Sequence, residues 1–193
     1  MFRTLVCILF AIIFSACESK EKQPATLETE GVEAPNFFPV TNYIYGQIEA
    51  IKQAGINPIK LDSSNNKVDS SWLKIEDFQN AFLEFVTPDI DSSNLTPFFN
   101  ESKFEDKTID SYTFTYTAKP SLPDSIVLQR WDVYISPMSN SIKRIFLVKK
   151  LSDTKELQLT WQSGQWCKTV TIITNAQGQQ SVSSVQTIKW HFD

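Results

Sequence analysis

One histidine, three cysteines and five glycines are spread over 193 residues, and each scarcity removes a class of chemistry. A Ser-His-Asp or Cys-His arrangement would have to use His191. No Gly-x-Ser-x-Gly turn is present to offer a nucleophile. His191 is expected as a solvated strand histidine on the side away from the core. Structural zinc takes about four nitrogen or sulfur ligands, a set that one histidine and scattered cysteines do not furnish. So few glycines leave little from which to build a phosphate-cradling loop. Basic residues never run longer than pairs such as Lys149-Lys150, and the formal net charge is −4; nucleic acid is therefore not an expected partner. The chain reads as a non-enzyme without metal or cofactor.

Long apolar runs are missing too. The longest, from Leu5 to Phe14, is shorter than the roughly 20 residues that a helix needs to cross a bilayer. It follows Arg3 and precedes the small Ser15 and Ala16, which is the order of a secretory signal. Phe14-Ser15-Ala16-Cys17 looks like a lipobox, the bacterial lipoprotein signal. That resemblance implies that residues 1–16 are removed and that Cys17 becomes the new N-terminus, diacylated, with palmitate as an acyl group. More than one acyl chain makes a stable membrane anchor. Glu18 stands where enteric lipoproteins retained in the inner membrane carry Asp, so the resemblance implies the outer membrane, on its periplasmic or surface face. Residues 17–35 are charged and hold few apolar side chains beyond Leu27 and Val32, which predicts a flexible tether. Residues 36–193 then form a single domain, long enough to bury about 70% of its unfolded surface without staples. With Cys7 removed and Cys17 lipidated, Cys167 has no disulfide partner and reads as a small buried hydrophobe.

Periodicity predicts the elements. Val40, Ile44, Ile48 and Ile51 recur at helical spacing, with Thr41 or Asn42 as candidate caps and Gly55 as the stop. Ile59 to Trp72 alternates around Asp62-Ser63-Ser64-Asn65-Asn66, a hairpin pattern. A second helix carries Ile75, Phe78, Phe82 and Phe85 and ends before Pro88; residues 92–100 are expected to add a helical turn. From Thr108 onward the period is two. Six strands follow, through Tyr112–Tyr116, Ile126–Ile135, Ile142–Lys149, Glu156–Gln162, Trp166–Thr174 and Val182–Phe192, joined by short links that imply an antiparallel meander. The expected fold is α+β, with N-terminal helices and a hairpin packed on a roughly six-stranded antiparallel meander sheet. Taking Ser163-Gly164 as a two-residue turn sets Trp161 opposite Trp166 and Thr160 opposite Cys167. Leu157, Leu159, Trp161, Trp166, Val170 and Ile172 would then share the core face with Ile188, Trp190 and Phe192. Lys168 would snorkel from that same face.

Charged pairs read as structural. Glu76-Asp77 favours the dipole of a helix start, and Glu105-Asp106 is solvated. Asp89-Ile90-Asp91 lacks calcium-loop spacing and is read as a turn. Arg130 and Asp132 project from one strand face and are expected to make surface ion pairs, across to Arg144 or Lys143. Aromatics are the abundant class, with fourteen Phe, five Tyr and five Trp. Most of these should fill core and strands, and Tyr112, Phe114 and Tyr116 are singled out as a ligand or partner surface.

Asn36-Phe37-Phe38-Pro39-Val40-Thr41, Leu122-Pro123-Asp124-Ser125-Ile126 with Trp131-Asp132-Val133-Tyr134-Ile135, and Leu159-Thr160-Trp161 with Trp166-Cys167 resemble segments of a group of lipoproteins from Bacteroidota. The group implies location and brings no activity. The expectation is a membrane-anchored envelope lipoprotein, a non-catalytic binding or assembly module that meets another envelope protein. The alternative is a carrier holding a lipid in an aromatic-lined groove. Cys17→Ser should move the protein from the membrane fraction to the soluble one. Intact-mass analysis of the wild type must show the cut, diacylated N-terminus; an unmodified one sinks the anchor.

Overall fold

The computed structural model describes residues 37–65, 67–91 and 94–191; the expected signal, tether and Cys17 lie outside them. Helix α1 (Val40–Gln53) forms because Val40, Ile44, Ile48 and Ile51 make one stripe, all buried. Its N-cap is Pro39, and Thr41 does not cap it. Buried Thr41 instead accepts the Ile90 N–H on its hydroxyl at 2.8 Å, pinning the loop after the second helix. Gly55, at φ +64°, ends the helix in a Schellman arrangement, with its N–H on the Lys52 carbonyl and the Ile56 N–H on that of Ile51. A 3-10 turn, Ile75–Asp77, leads into α2 (Phe78–Val86), whose Phe78, Phe82 and Phe85 are buried. Ile75, expected on that face, is exposed.

The remaining elements belong to one sheet. Strands β1 (Ile59–Ser64), β2 (Lys67–Trp72), β3 (Phe99–Asp106), β4 (Ser111–Ala118), β5 (Leu128–Ile135), β6 (Ile142–Ser152), β7 (Lys155–Gln162), β8 (Trp166–Thr174) and β9 (Gln180–Lys189) stand in the order β2-β1-β9-β8-β7-β6-β5-β4-β3. Every pairing is antiparallel. The α+β expectation is thereby overturned: the chain is mainly β, a nine-stranded sheet carrying two short helices. Two physical causes hid the extra strands. The hairpin β1–β2 pairs with β9 and so extends the sheet. In β3 only Phe99 is buried, so an edge strand rich in charge shows no apolar alternation. Of the expected turn before it, only Thr96–Phe98 is a 3-10 helix.

Both helices lie on one face of the sheet. Across it, Phe114, Val133, Ile145, Trp161, Cys167 and Ile188 form a single cross-strand row. Aromatic rings gather around two tryptophans in this layer. Trp161 lies 5.5 Å from Phe82, 5.4 Å from Phe85 and 5.0 Å from Trp190. Trp131 lies 5.5 Å from Phe37, 4.5 Å from Phe99 and 4.6 Å from Tyr116, with which it stacks. Lys149 also points inward and is 1% exposed; its ammonium meets Glu84 of α2 at 2.7 Å. Burial pushes its pKa down while the carboxylate pushes it up, and burial wins.

The β7–β8 turn corrects the expected faces. Gln162 pairs with Trp166, which leaves a three-residue loop with Gly164 at φ +72°. The shift of one residue sends every β8 side chain to the other side. Cys167, Thr169 and Thr171 therefore join Trp161, Leu159 and Leu157, whereas Trp166, Lys168, Val170 and Ile172 face away with Thr160 and Gln158. Ile188 and Trp190 are buried as expected; Phe192 lies outside the described residues. Trp161→Ala should cost about 3–5 kcal/mol, and Trp166→Ala only about 1 kcal/mol, the worth of a half-buried ring under one lysine. Urea melts that rank the two in reverse refute this register.

Candidate functional site

Among the described residues no cluster of His, Cys, Asp and Glu could hold a metal. Cys167 is buried, and desolvation pushes its thiol pKa well up, which disfavours the thiolate. His191 is exposed just beyond β9. Asp89 and Asp91 serve their own turn: the Asp89 carbonyl accepts the Asn94 amide at 2.7 Å and the Asp91 carboxylate accepts the Asn94 N–H at 3.1 Å. Arg130 and Asp132 pair with each other, through Nε at 3.0 Å and the Nη2 group at 2.9 Å. That corrects the surface reading, because Asp132 is 1% exposed and its forked partner reaches in from the rim.

The aromatic trio is divided by depth. Tyr112, Phe114 and Tyr116 share the helix-facing side of β4, opposite Ile135, Val133 and Trp131. Tyr116 is buried, Phe114 half-buried and Tyr112 43% exposed. Phe114 and Tyr116 do line an open groove of about 260 Å³, with Phe37, Phe38 and Pro39 on one side and Glu101 and Lys103 on another. Tyr112 is not among its lining residues. Lys103 reaches Glu101 at 2.9 Å and lies over the Phe114 ring at 5.1 Å from the centroid. Glu101 stands opposite Tyr116 in the ladder. The Tyr116 phenol is pushed far above its ordinary value, first by burial and then by the hydrogen bond and charge of Glu101.

Sequence periodicity missed half of this groove. Glu101 and Lys103 belong to β3, which was not expected as a strand. Phe37 and Phe38 precede the first helix, where no periodicity can flag them.

The groove adjoins an open sheet edge. Lys119 donates its N–H to the Phe98 carbonyl, which sets the alternation along β3. Phe98, Asn100, Ser102 and Phe104 then bond to β4, while the N–H and C=O groups of Phe99, Glu101, Lys103 and Glu105 point away from it. No described strand pairs with that edge. The opposite edge is defended differently: by the same alternation, started at the Leu73 N–H on the Pro58 carbonyl, Ser70 faces outward. Its N–H is taken by the Asp69 carboxylate at 2.9 Å.

A second apolar groove, about 270 Å³, runs between α1 and α2 beside the exposed Tyr45 and Leu83. A more open concavity, about 550 Å³, lies between the β4–β5 loop and the β6–β7 turn and is mostly polar. No described helix is long and apolar enough to cross a membrane. No family model, curated protein or solved structure matches the chain.

Tyr116 gives a titration to follow. Its folded pKa exceeds the unfolded value near 10. The stability it allows is present below about pH 10 and is lost as pH rises toward the folded pKa. Urea melts at about pH 9 and pH 11 should show a smaller alkaline loss for Tyr116→Phe than for the wild type. Equal losses count against the buried phenol.

Proposed function

We propose that the protein is a membrane-anchored, non-catalytic envelope module, held through Cys17, that receives an extended segment of another envelope protein along β3. The lipobox-like run ending at Cys17 supports the anchor, and Glu18, in place of the Asp of retained lipoproteins, supports the outer membrane as its proposed site. One observation carries the binding role. The unused backbone groups of Phe99, Glu101, Lys103 and Glu105 form a strand-wide row beside a groove lined by Phe37, Phe38, Phe114 and Tyr116. Strand addition uses this combination: main-chain bonds supply affinity, and alternate side chains of the guest enter the adjoining pocket. Glu101 and Lys103, already paired, present both signs of charge to such a guest.

A lipid carrier is less well supported. The space between helices and sheet is filled by side chains, with Trp131, Trp161, Tyr116, Phe78, Phe82, Phe85 and Phe99 all under 2% or at 2% exposure. The aromatic groove, at about 260 Å³, falls below the usual range of enclosing small-molecule pockets, roughly 300–1,000 Å³. It is also open and carries an ion pair.

The strand alternation provides the test. Proline at position 105 removes an outward N–H and leaves the β3–β4 ladder intact, a position that edge strands tolerate. Glu105→Pro should cost about 1 kcal/mol of stability but abolish crosslinks formed in cells from a photoreactive residue at Lys103. Phe104→Pro should destabilise more, since it removes a ladder bond. Crosslinks that persist in Glu105→Pro overturn the strand-addition reading. A lipid co-purifying at about one-to-one occupancy in native mass spectrometry would install the carrier instead.

A further inference from the structure

The face of the sheet turned away from the helices carries an ordered row of side chains. Lys189 stands opposite Trp166, Trp166 opposite Gln162, Gln162 opposite Arg144, and Arg144 opposite Tyr134. The row crosses β9, β8, β7, β6 and β5, one side chain per strand. Lys168, two residues along β8 from Trp166, lies over that indole at 5.1 Å from the centroid. The Arg144 guanidinium lies over the Tyr134 ring at 4.1 Å. Among the described residues none of these three cations, Arg144, Lys168 or Lys189, makes a salt bridge. Asp132, in the adjacent row, is already closed by Arg130. No described helix or strand lies over this face.

A chain of net charge −4 thus gathers uncompensated positive charge on one open face. A guanidinium resting on a ring has lost much of its rotamer freedom already, and the N–H groups that Arg144 does not turn to the Tyr134 phenol can meet a planar anion. Neighbouring strands are about 4.8 Å apart, so Lys189 and Arg144, three strands apart, are separated by roughly 14 Å. That spacing exceeds the reach of one small anion. Between the cations stand Gln162, Thr160 and Thr187, which are hydrogen-bonding groups, with Phe146 beside Arg144 and Ile59 across from Lys189. A membrane surface would favour apolar side chains that insert; between the cations the row offers polar groups, and its uncovered apolar members, Ile59 and the exposed Trp72, stand beyond Lys189 on β1 and β2.

We propose that this face binds an acidic polysaccharide along the Lys189–Tyr134 row, with carboxylates or phosphates on Lys189, Lys168 and Arg144 and hydroxyls on Gln162 and Thr160. The site is independent of the β3 edge and stands or falls separately from it.

Affinity electrophoresis of the whole protein in nonionic detergent tests it, with polygalacturonate in the gel as probe and neutral dextran as reference. Retardation is expected only with polygalacturonate, weakening as salt rises. Arg144→Gln and Lys168→Gln should each weaken the apparent affinity about tenfold, the loss of one charge-assisted hydrogen bond. Lys67→Gln, on β2 and outside the row, should change nothing. Thermal melts check that each variant is folded; if Arg144→Gln is not, Lys168→Gln and Lys189→Gln carry the test. No retardation, equal retardation in dextran, or retardation indifferent to these variants overturns the proposal. So does tighter, variant-sensitive sedimentation with phosphatidylglycerol vesicles, which would assign the face to a membrane.

Discussion

Two helices of fourteen and nine residues must cover one side of a nine-stranded sheet, and they are too small to do so alone. Most other features answer that shortage. Large aromatic side chains supply the missing volume at two points, Trp161 beneath α2 and Trp131 nearer the β3 edge. Around Trp131 the covering is done by Phe37 from the chain before α1 and by Phe99 from the edge strand. Both indole N–H groups are buried without a described acceptor. The hubs are therefore held by apolar area and edge-to-face ring geometry, a favourable arrangement worth about 0.5–1.5 kcal/mol per pair beyond burial.

The same shortage explains where binding surfaces can exist. Helical cover stops before β3, so the sheet edge and the Phe37–Tyr116 groove lie side by side and both stay open. Among the described residues no helix packs on the outer face, and much of it meets water with its own side chains. Threonine, glutamine and stacked cations do this on the central strands. Thr113 and Thr115 are nevertheless buried, their hydroxyls without a described partner. The pleated face therefore shields itself from side to side, through neighbours such as Phe104 and Tyr134 on adjoining strands.

Legibility in the sequence followed exposure of pattern. The stripes Val40-Ile44-Ile48-Ile51 and Phe78-Phe82-Phe85 are apolar at helical spacing, and both helices could be read directly. The central strands likewise alternate. What failed was pairing. A two-residue turn and a three-residue turn at Ser163-Gly164 are both compatible with the letters, yet they differ by one residue in register and so by a whole face for β8. Trp166 and Cys167 are adjacent, one polar-tipped and one small, so composition could not decide which pointed inward. The site was half legible for a related reason. Phe114 and Tyr116 advertise themselves by alternation, whereas Glu101 and Lys103 look like a solvated charge run until β3 is known to pair with β4.

Lys149 poses the sharpest energetic question, because burying an ammonium in an aromatic layer is unfavourable. Its neighbours across the ladder, Leu128 and Leu157, are buried hydrophobes, and a methionine there would fill similar space without desolvation cost. The ion pair with Glu84, half-exposed at the rim of α2, returns only part of that cost, since water screens the carboxylate. Net stability therefore does not account for the pair. Position does. Helix α2 rests on an apolar layer through Phe78, Phe82 and Phe85, whose contacts carry no charge to fix its register. A shift of one helical turn, about 5.4 Å, would break the 2.7 Å contact and strand the ammonium among leucines. The charge thus excludes the displaced packings that apolar contacts alone would tolerate, and it keeps Phe82 and Phe85 centred on Trp161.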